Sequence, residues 1–89
     1  MSLIRIPPML RGEVGGVREV PAEGDTVREL LFDLIARFPG LRPQLVEDDE
    51  IASYVNVYGE GEDVRTLEGL DTSVDHGSTV ILLPAMAGG

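Results

Sequence analysis

GDTVRELLFDLIARFPG, residues 24–40, carries the pattern that decides the fold. Val27, Leu30, Leu31, Leu34, Ile35 and Phe38 recur at the i, i+3, i+4, i+7 spacing of one apolar helical stripe. Thr26 and Glu29 form a T-x-x-E capping box, with Asp25 just ahead as an alternative cap. Pro39 cannot extend the helix and Gly40 supplies a turn, so the stop is as clear as the start. A helix with a single apolar face has to cover something, and the flanking segments read as strands.

Ahead of the helix, LIRI and VREV (Val17 to Val20) alternate and are ended by Pro7-Pro8 and by Pro21. MLRGEVGG between them carries the Gly15-Gly16 turn, so the two read as a hairpin. After the helix, LRPQLVEDDE reads as one helical turn followed by an acidic loop. YVNVY is a strand, GEGED a turn, DVRTL a short strand and EGLDTSVDHGS an irregular crossing. TVILLP is apolar without alternation, as expected of a strand that is covered on both sides or central in its sheet. The expected class is α+β: a mixed sheet of 4–5 strands with one main helix across one face, the β-grasp arrangement. The right-handed crossover rule lets the first and last strands lie parallel at its centre. Residues 1–84 form this domain, and residues 85–89 are expected to be a flexible C-terminal tail.

Composition narrows the chemistry. Sixteen Asp and Glu against seven basic residues give a net charge of -9, which makes nucleic acid and anionic membranes poor partners. The chain has no cysteine, which excludes disulfides, thiolate metal sites and a cysteine nucleophile. No stretch approaches the roughly 20 apolar residues of a membrane span, and MSLIRIPPML is too short and too interrupted for a secretory signal, so a cytoplasmic setting is expected. All seven basic residues are arginines, and without lysine the chain cannot accept an isopeptide bond from a copy of itself. A monomer is the default.

Catalytic signals of its own are weak. His76, the only histidine, sits in the polar turn DHGS between Ser73 and Ser78 and reads as a solvated turn residue. Glu47-Asp48-Asp49-Glu50 lacks the alternating ligand spacing of a calcium loop. Neither GEGED nor GEVGG has the glycine spacing of a P-loop or a dinucleotide site. No metal ligand set and no bound cofactor are expected.

The weight falls on AMAGG. A terminal Gly-Gly is often just a frayed end. Here it follows the most apolar strand, Pro84 restricts the backbone at its base, and Ala85 to Gly89 carry no charged side chain in a chain rich in carboxylates. Gly88 and Gly89 have no Cβ, so their backbone fits a channel too narrow for side chains. The group so delivered is the α-carboxylate of Gly89, which an ATP-consuming enzyme can activate as an acyl-adenylate. A sulfur donor then displaces AMP and leaves a thiocarboxylate.

The element order, Leu10-Arg11-Gly12 after strand one, the FPGL helix end, YVNVYGEGEDVRTLEGLDT and the ending ILLPAMAGG together resemble the MoaD/ThiS family, ubiquitin-like sulfur carrier proteins. The resemblance covers essentially the whole chain and is nearest to the CysO-type branch. It implies a protein co-substrate, not an enzyme, whose Gly89 is adenylated and thiocarboxylated by an E1-like adenylyltransferase/sulfurtransferase of the MoeB/MoeZ type. In the CysO-type branch the sulfur goes to a cysteine synthase, and a JAMM-type metalloprotease releases the product. ATP, pyridoxal phosphate and zinc then belong to those partners. Elsewhere in the family the acceptor is molybdopterin, the thiamine thiazole or a thiosugar. The resemblance also implies partner contacts at Arg11, Leu83, Pro84, Met86 and Ala87, although Leu83 reads equally as core and Arg11 as a surface turn residue. DHGS departs from the branch's usual turn before the last strand, which bears on partner choice. Two other readings stay open: a protein modifier joined through Gly89 to a lysine of another protein, and a non-covalent adaptor that pairs through a sheet edge.

Overall fold

The computed structural model describes residues 1–48, 50–52, 55–59 and 61–84, and the tail from residue 85 onward lies outside the described residues. Helix α1 spans Val27–Arg37, and Val27, Leu30, Leu31, Leu34 and Ile35 are buried as their spacing requires. Phe38 is the C-cap and only half-buried, because the helix has already ended when it is reached. Thr26 Oγ1 accepts the Glu29 N–H at 3.2 Å. Glu29 Oε1 reaches back to the Asp25 N–H at 2.7 Å, one residue further than a standard box. Gly24 is needed for this close approach, since a Cβ there would stand 2.5 Å from the Glu29 Cβ.

The five-stranded sheet is built from β1 (Ser2–Arg5), β2 (Glu19–Ala22), β5 (Val55–Gly59), β6 (Glu62–Asp63) and β7 (Thr79–Pro84), in the order β2-β1-β7-β5-β6. β1 and β7 run parallel at the centre, as the crossover rule anticipates, and every other pair is antiparallel. Ile4, Val20, Val55, Val57, Val80 and Leu82 point to one face and share a single core with α1. This is the β-grasp.

Several local expectations are corrected. β2 begins at Glu19, not Val17, and contains Pro21 instead of stopping before it. A proline is tolerated because β2 is an edge strand, where a missing N–H breaks no ladder on the open side. The β1–β2 connection is not a tight hairpin turn. A 3₁₀ helix over Pro8–Val14 is held by buried Leu10 and Val14, and Gly15 and Gly16, at φ 75° and 85°, turn the chain afterwards.

LRPQL does form a single helical turn, α2 (Arg42–Leu45), seated by fully buried Leu41 and Leu45. The acidic segment after it is not a plain loop. It folds into a two-stranded ribbon, β3 (Val46–Glu47) with β4 (Glu50–Ile51), in which Val46 faces Ile51. Of DVRTL only Asp63 is in a strand, the two-residue β6 (Glu62–Asp63). Beyond that a 3₁₀ turn over Val64–Thr66 is fixed by the Thr66 hydroxyl, which donates to the Asp63 carbonyl at 2.7 Å.

Leu34 is fully buried beneath the sheet. Leu34→Ala is expected to cost about 2–5 kcal/mol of unfolding free energy, against about 1 kcal/mol for removing the cap with Thr26→Ala. Urea unfolding followed by circular dichroism measures both.

Candidate functional site

The base of the tail is the end of β7, the strand most firmly held in the molecule. β5 pairs with it from Gly59↔Val80 to Val55↔Pro84, and β1 pairs with it from Leu3↔Thr79 to Arg5↔Ile81. TVILLP is central, but it is not covered on both sides. Val80 and Leu82 are in the core, whereas Ile81 is half-buried and Leu83 is 42% exposed. The continuous apolar run thus serves two faces, one packed on α1 and one open.

The strand register fixes what lies on the open face. A transverse row runs Glu19, Arg5, Ile81, Tyr58, Asp63, and Leu83 stands beside Asn56 in the next row toward the tail. Leu3, 37% exposed, lies opposite Thr79 on the same face. The centre of this face is apolar and its edges are charged, the anatomy of a protein-docking surface.

Arg11 sits in the 3₁₀ helix, half-buried, and its Nε donates to the Ile6 carbonyl at 3.0 Å. That bond satisfies a backbone acceptor just past the end of β1, so part of the side chain is structural. With Arg5, Arg18 and Glu19 it lines an open cavity of about 370 Å³. Of the site residues expected from the sequence, Leu83 and Pro84 are placed on β7. Met86, Ala87, Gly88 and Gly89 lie outside the described residues.

Sequence reasoning missed Ile81, Leu3, Arg5 and Arg18. The first three were accessible: once Ile4 and Leu82 are taken as core, period-two alternation turns their neighbours outward. Arg18 had no such signal, because its position depends on where the 3₁₀ connection returns to the sheet. That return is marked by the Ile6 N–H bonding the Arg18 carbonyl at 2.7 Å.

The remaining polar candidates form no catalytic group. The His76 ring nitrogens meet Asp25 Oδ1 at 3.5 Å and the N-terminal amine at 3.3 Å, not Ser73 or Ser78. Among the described residues, no cluster of three or more His, Asp or Glu is arranged to hold a metal ion. None of the described helices is long and apolar enough to cross a membrane.

A mixed sheet with β7 at its centre and a helix across one face define a ubiquitin-like β-grasp protein. The chain belongs to the ThiS family, whose model matches residues 5–89. It is 38% identical over 89 residues to the sulfur carrier protein CysO of Mycobacterium tuberculosis, covering 97% of this chain and 96% of that protein. It is 41% identical over 64 residues to small archaeal modifier protein 3 of Haloferax volcanii, covering 72% and 70%. In the crystal structure of the Amycolatopsis orientalis BexX/CysO complex, one chain superposes with a TM-score of 0.93 at 39% identity, with both chains covered completely.

The two faces of β7 predict opposite stability effects at neighbouring positions. Leu82→Ala, at a fully buried side chain, is expected to lose about 2–5 kcal/mol, and Leu83→Ala to stay within about 0.5 kcal/mol of the parent. Thermal and urea unfolding of the two variants side by side is the check.

Proposed function

We propose that this protein is a sulfur carrier, a co-substrate whose Gly89 carboxylate is adenylated and converted to a thiocarboxylate for a biosynthetic acceptor, with cysteine synthesis the favoured destination. The observation that carries the reading is the anchoring of β7. The strand is held between β1 and β5, and it passes directly into an uncharged Pro-Ala-Met-Ala-Gly-Gly segment. Five residues of chain reach at most about 17 Å beyond Pro84, enough to enter a neighbouring enzyme's channel while the folded domain stays outside it. The whole-length likeness to a protein named as a sulfur carrier supports the same reading.

The chemistry is that of an acyl group without a leaving group. The Gly89 carboxylate attacks the α-phosphorus of ATP on an E1-like adenylating enzyme, and pyrophosphate leaves. A sulfur nucleophile then adds to the acyl carbon, AMP departs with its electron pair, and the sulfur remains as a thiocarboxylate. This chain has no cysteine, so the sulfur it carries rides on its terminus. A cysteine synthase as acceptor, a JAMM-type metalloprotease as releasing enzyme, and ATP and pyridoxal phosphate as the partners' reagents are parts of this proposal. The BexX/CysO complex supports a carrier of this shape working in a protein complex.

A second reading, conjugation of Gly89 to lysines of other proteins, is favoured by one observation, the likeness to a small archaeal modifier protein. The adaptor reading is weakened by the state of edge β2. Pro21 offers no N–H, its carbonyl accepts the Arg37 guanidinium, and the Glu23 N–H donates to Asp33 Oδ2 at 2.9 Å. Side chains of α1 thus already bond two backbone groups at this end of the edge, which disfavours an added strand there.

Intact-mass spectrometry separates these readings. With an E1-like adenylating enzyme, ATP and a sulfide source, the chain should gain the mass difference of one oxygen replaced by sulfur, and deleting Gly88-Gly89 should abolish the gain without changing the melting temperature. Higher-mass adducts on lysines of host proteins, with no thiocarboxylate formed, would replace the carrier reading with the modifier one.

A further inference from the structure

Positive charge is scarce in this protein and unevenly placed. Against sixteen Asp and Glu stand seven arginines, three of which, Arg5, Arg11 and Arg18, line one open cavity of about 370 Å³ with Glu19 as the sole carboxylate. Three guanidinium groups against one carboxylate leave a local excess of positive charge on a strongly acidic molecule. Other arginines are occupied elsewhere: Arg28 pairs with Asp71 and Arg37 with Asp33, each at 3.2 Å, and Arg42 stacks over the Phe32 ring. Arg5 holds Glu19 at 3.2 Å, and Arg11 spends its Nε on the Ile6 carbonyl. Arg18 is exposed, and among the described residues its guanidinium has no carboxylate partner.

The position of this cavity gives it meaning. Arg5 lies opposite Ile81 in the parallel β1–β7 pair, and both strands run toward the end of the sheet where β7 reaches Pro84. The cluster therefore flanks the base of the tail, alongside the apolar open face that carries Ile81 and Leu83. We propose that Arg5, Arg11 and Arg18 form an electrostatic docking patch for a carboxylate-rich surface on the enzyme that receives the tail. The inference rests on the carrier reading above and adds a partner chemistry to it.

Three features favour an acidic protein surface over a small phosphoanion. The cavity is open to water, where a small anion keeps its hydration and gains little. Glu19 stands among the guanidiniums and repels a compact anion, whereas an extended surface can place its carboxylates around it. The arginines present planar forks that bind carboxylates two-pronged, which fixes orientation as well as attraction. On a molecule of net charge -9, a positive patch at one end also turns that end toward an acidic partner during approach. The patch brings the tail in first.

The test is stopped-flow association of the full-length chain with its host's E1-like adenylating enzyme, across about 0.05 to 0.5 M salt. Arg18→Glu should associate on the order of tenfold more slowly at low salt, with a flatter salt dependence and little change in dissociation. Arg18→Lys should restore most of the rate, and Glu19→Gln should exceed the parent. Melting temperatures verify that each variant is folded. Wild-type rate and salt slope in Arg18→Glu would overturn the docking patch, as would absence of any association by the parent chain. Perturbation of the three guanidinium NMR signals by sub-millimolar inorganic tripolyphosphate would overturn it in favour of a small-anion site. Thiocarboxylate formation by the parent, read by mass in the same mixtures, reports on the carrier reading separately, so the two failures are distinguishable.

Discussion

The structure depends on the position of β7 between a parallel and an antiparallel neighbour. A last strand at the edge of a sheet can peel away, but one hydrogen-bonded on both sides cannot move without breaking the whole sheet. Val80 and Leu82 add burial to this, each worth about 1.5–3 kcal/mol of transfer free energy. Because β7 is central, the position of Pro84 opposite Val55 is fixed by the fold as a whole. The other elements follow from that placement: β1 must lie alongside it, α1 must cover its inner face, and its outer face is left to present Ile81 and Leu83.

The molecule also shows how a small acidic domain protects its edges. β6 is only two residues long, and the 3₁₀ turn over Val64–Thr66 follows it at once. β2 is longer but carries Pro21, whose carbonyl accepts the Arg37 guanidinium, and Asp33 bonds the Glu23 N–H just past the end of the strand. Short, proline-bearing and side-chain-capped edges discourage strand addition by another chain. The open sheet face, with an apolar centre and arginines to one side, is left as the surface suited to partners. Under the carrier reading proposed above, recognition and chemistry would be separated: the domain docks, and the Gly-Gly segment reacts.

The sequence determined the elements whose physics is local. Val27 to Phe38 could only bury one helical stripe, and Thr26, Glu29, Pro39 and Gly40 marked its ends. The apolar run of TVILLP announced a central strand, and the missing cysteines, missing lysines and uncharged Gly-Gly segment directed attention to the terminus. The tertiary structure decided what local pattern cannot carry. Pro21 sits inside a strand only because that strand is at an edge. Glu47 and Glu50 face each other across a ribbon in which Val46 pairs with Ile51 and the Ala52 N–H bonds back to the carbonyl of buried Leu45. Leu83 is exposed although its neighbours are as apolar as it is, since the pleat sends alternate residues to opposite faces and α1 covers just one. Arg5, Arg11 and Arg18 lie on three successive segments and line one cavity only when β1, its 3₁₀ connection and the return to β2 have folded together, and charge acts through space, not along the chain.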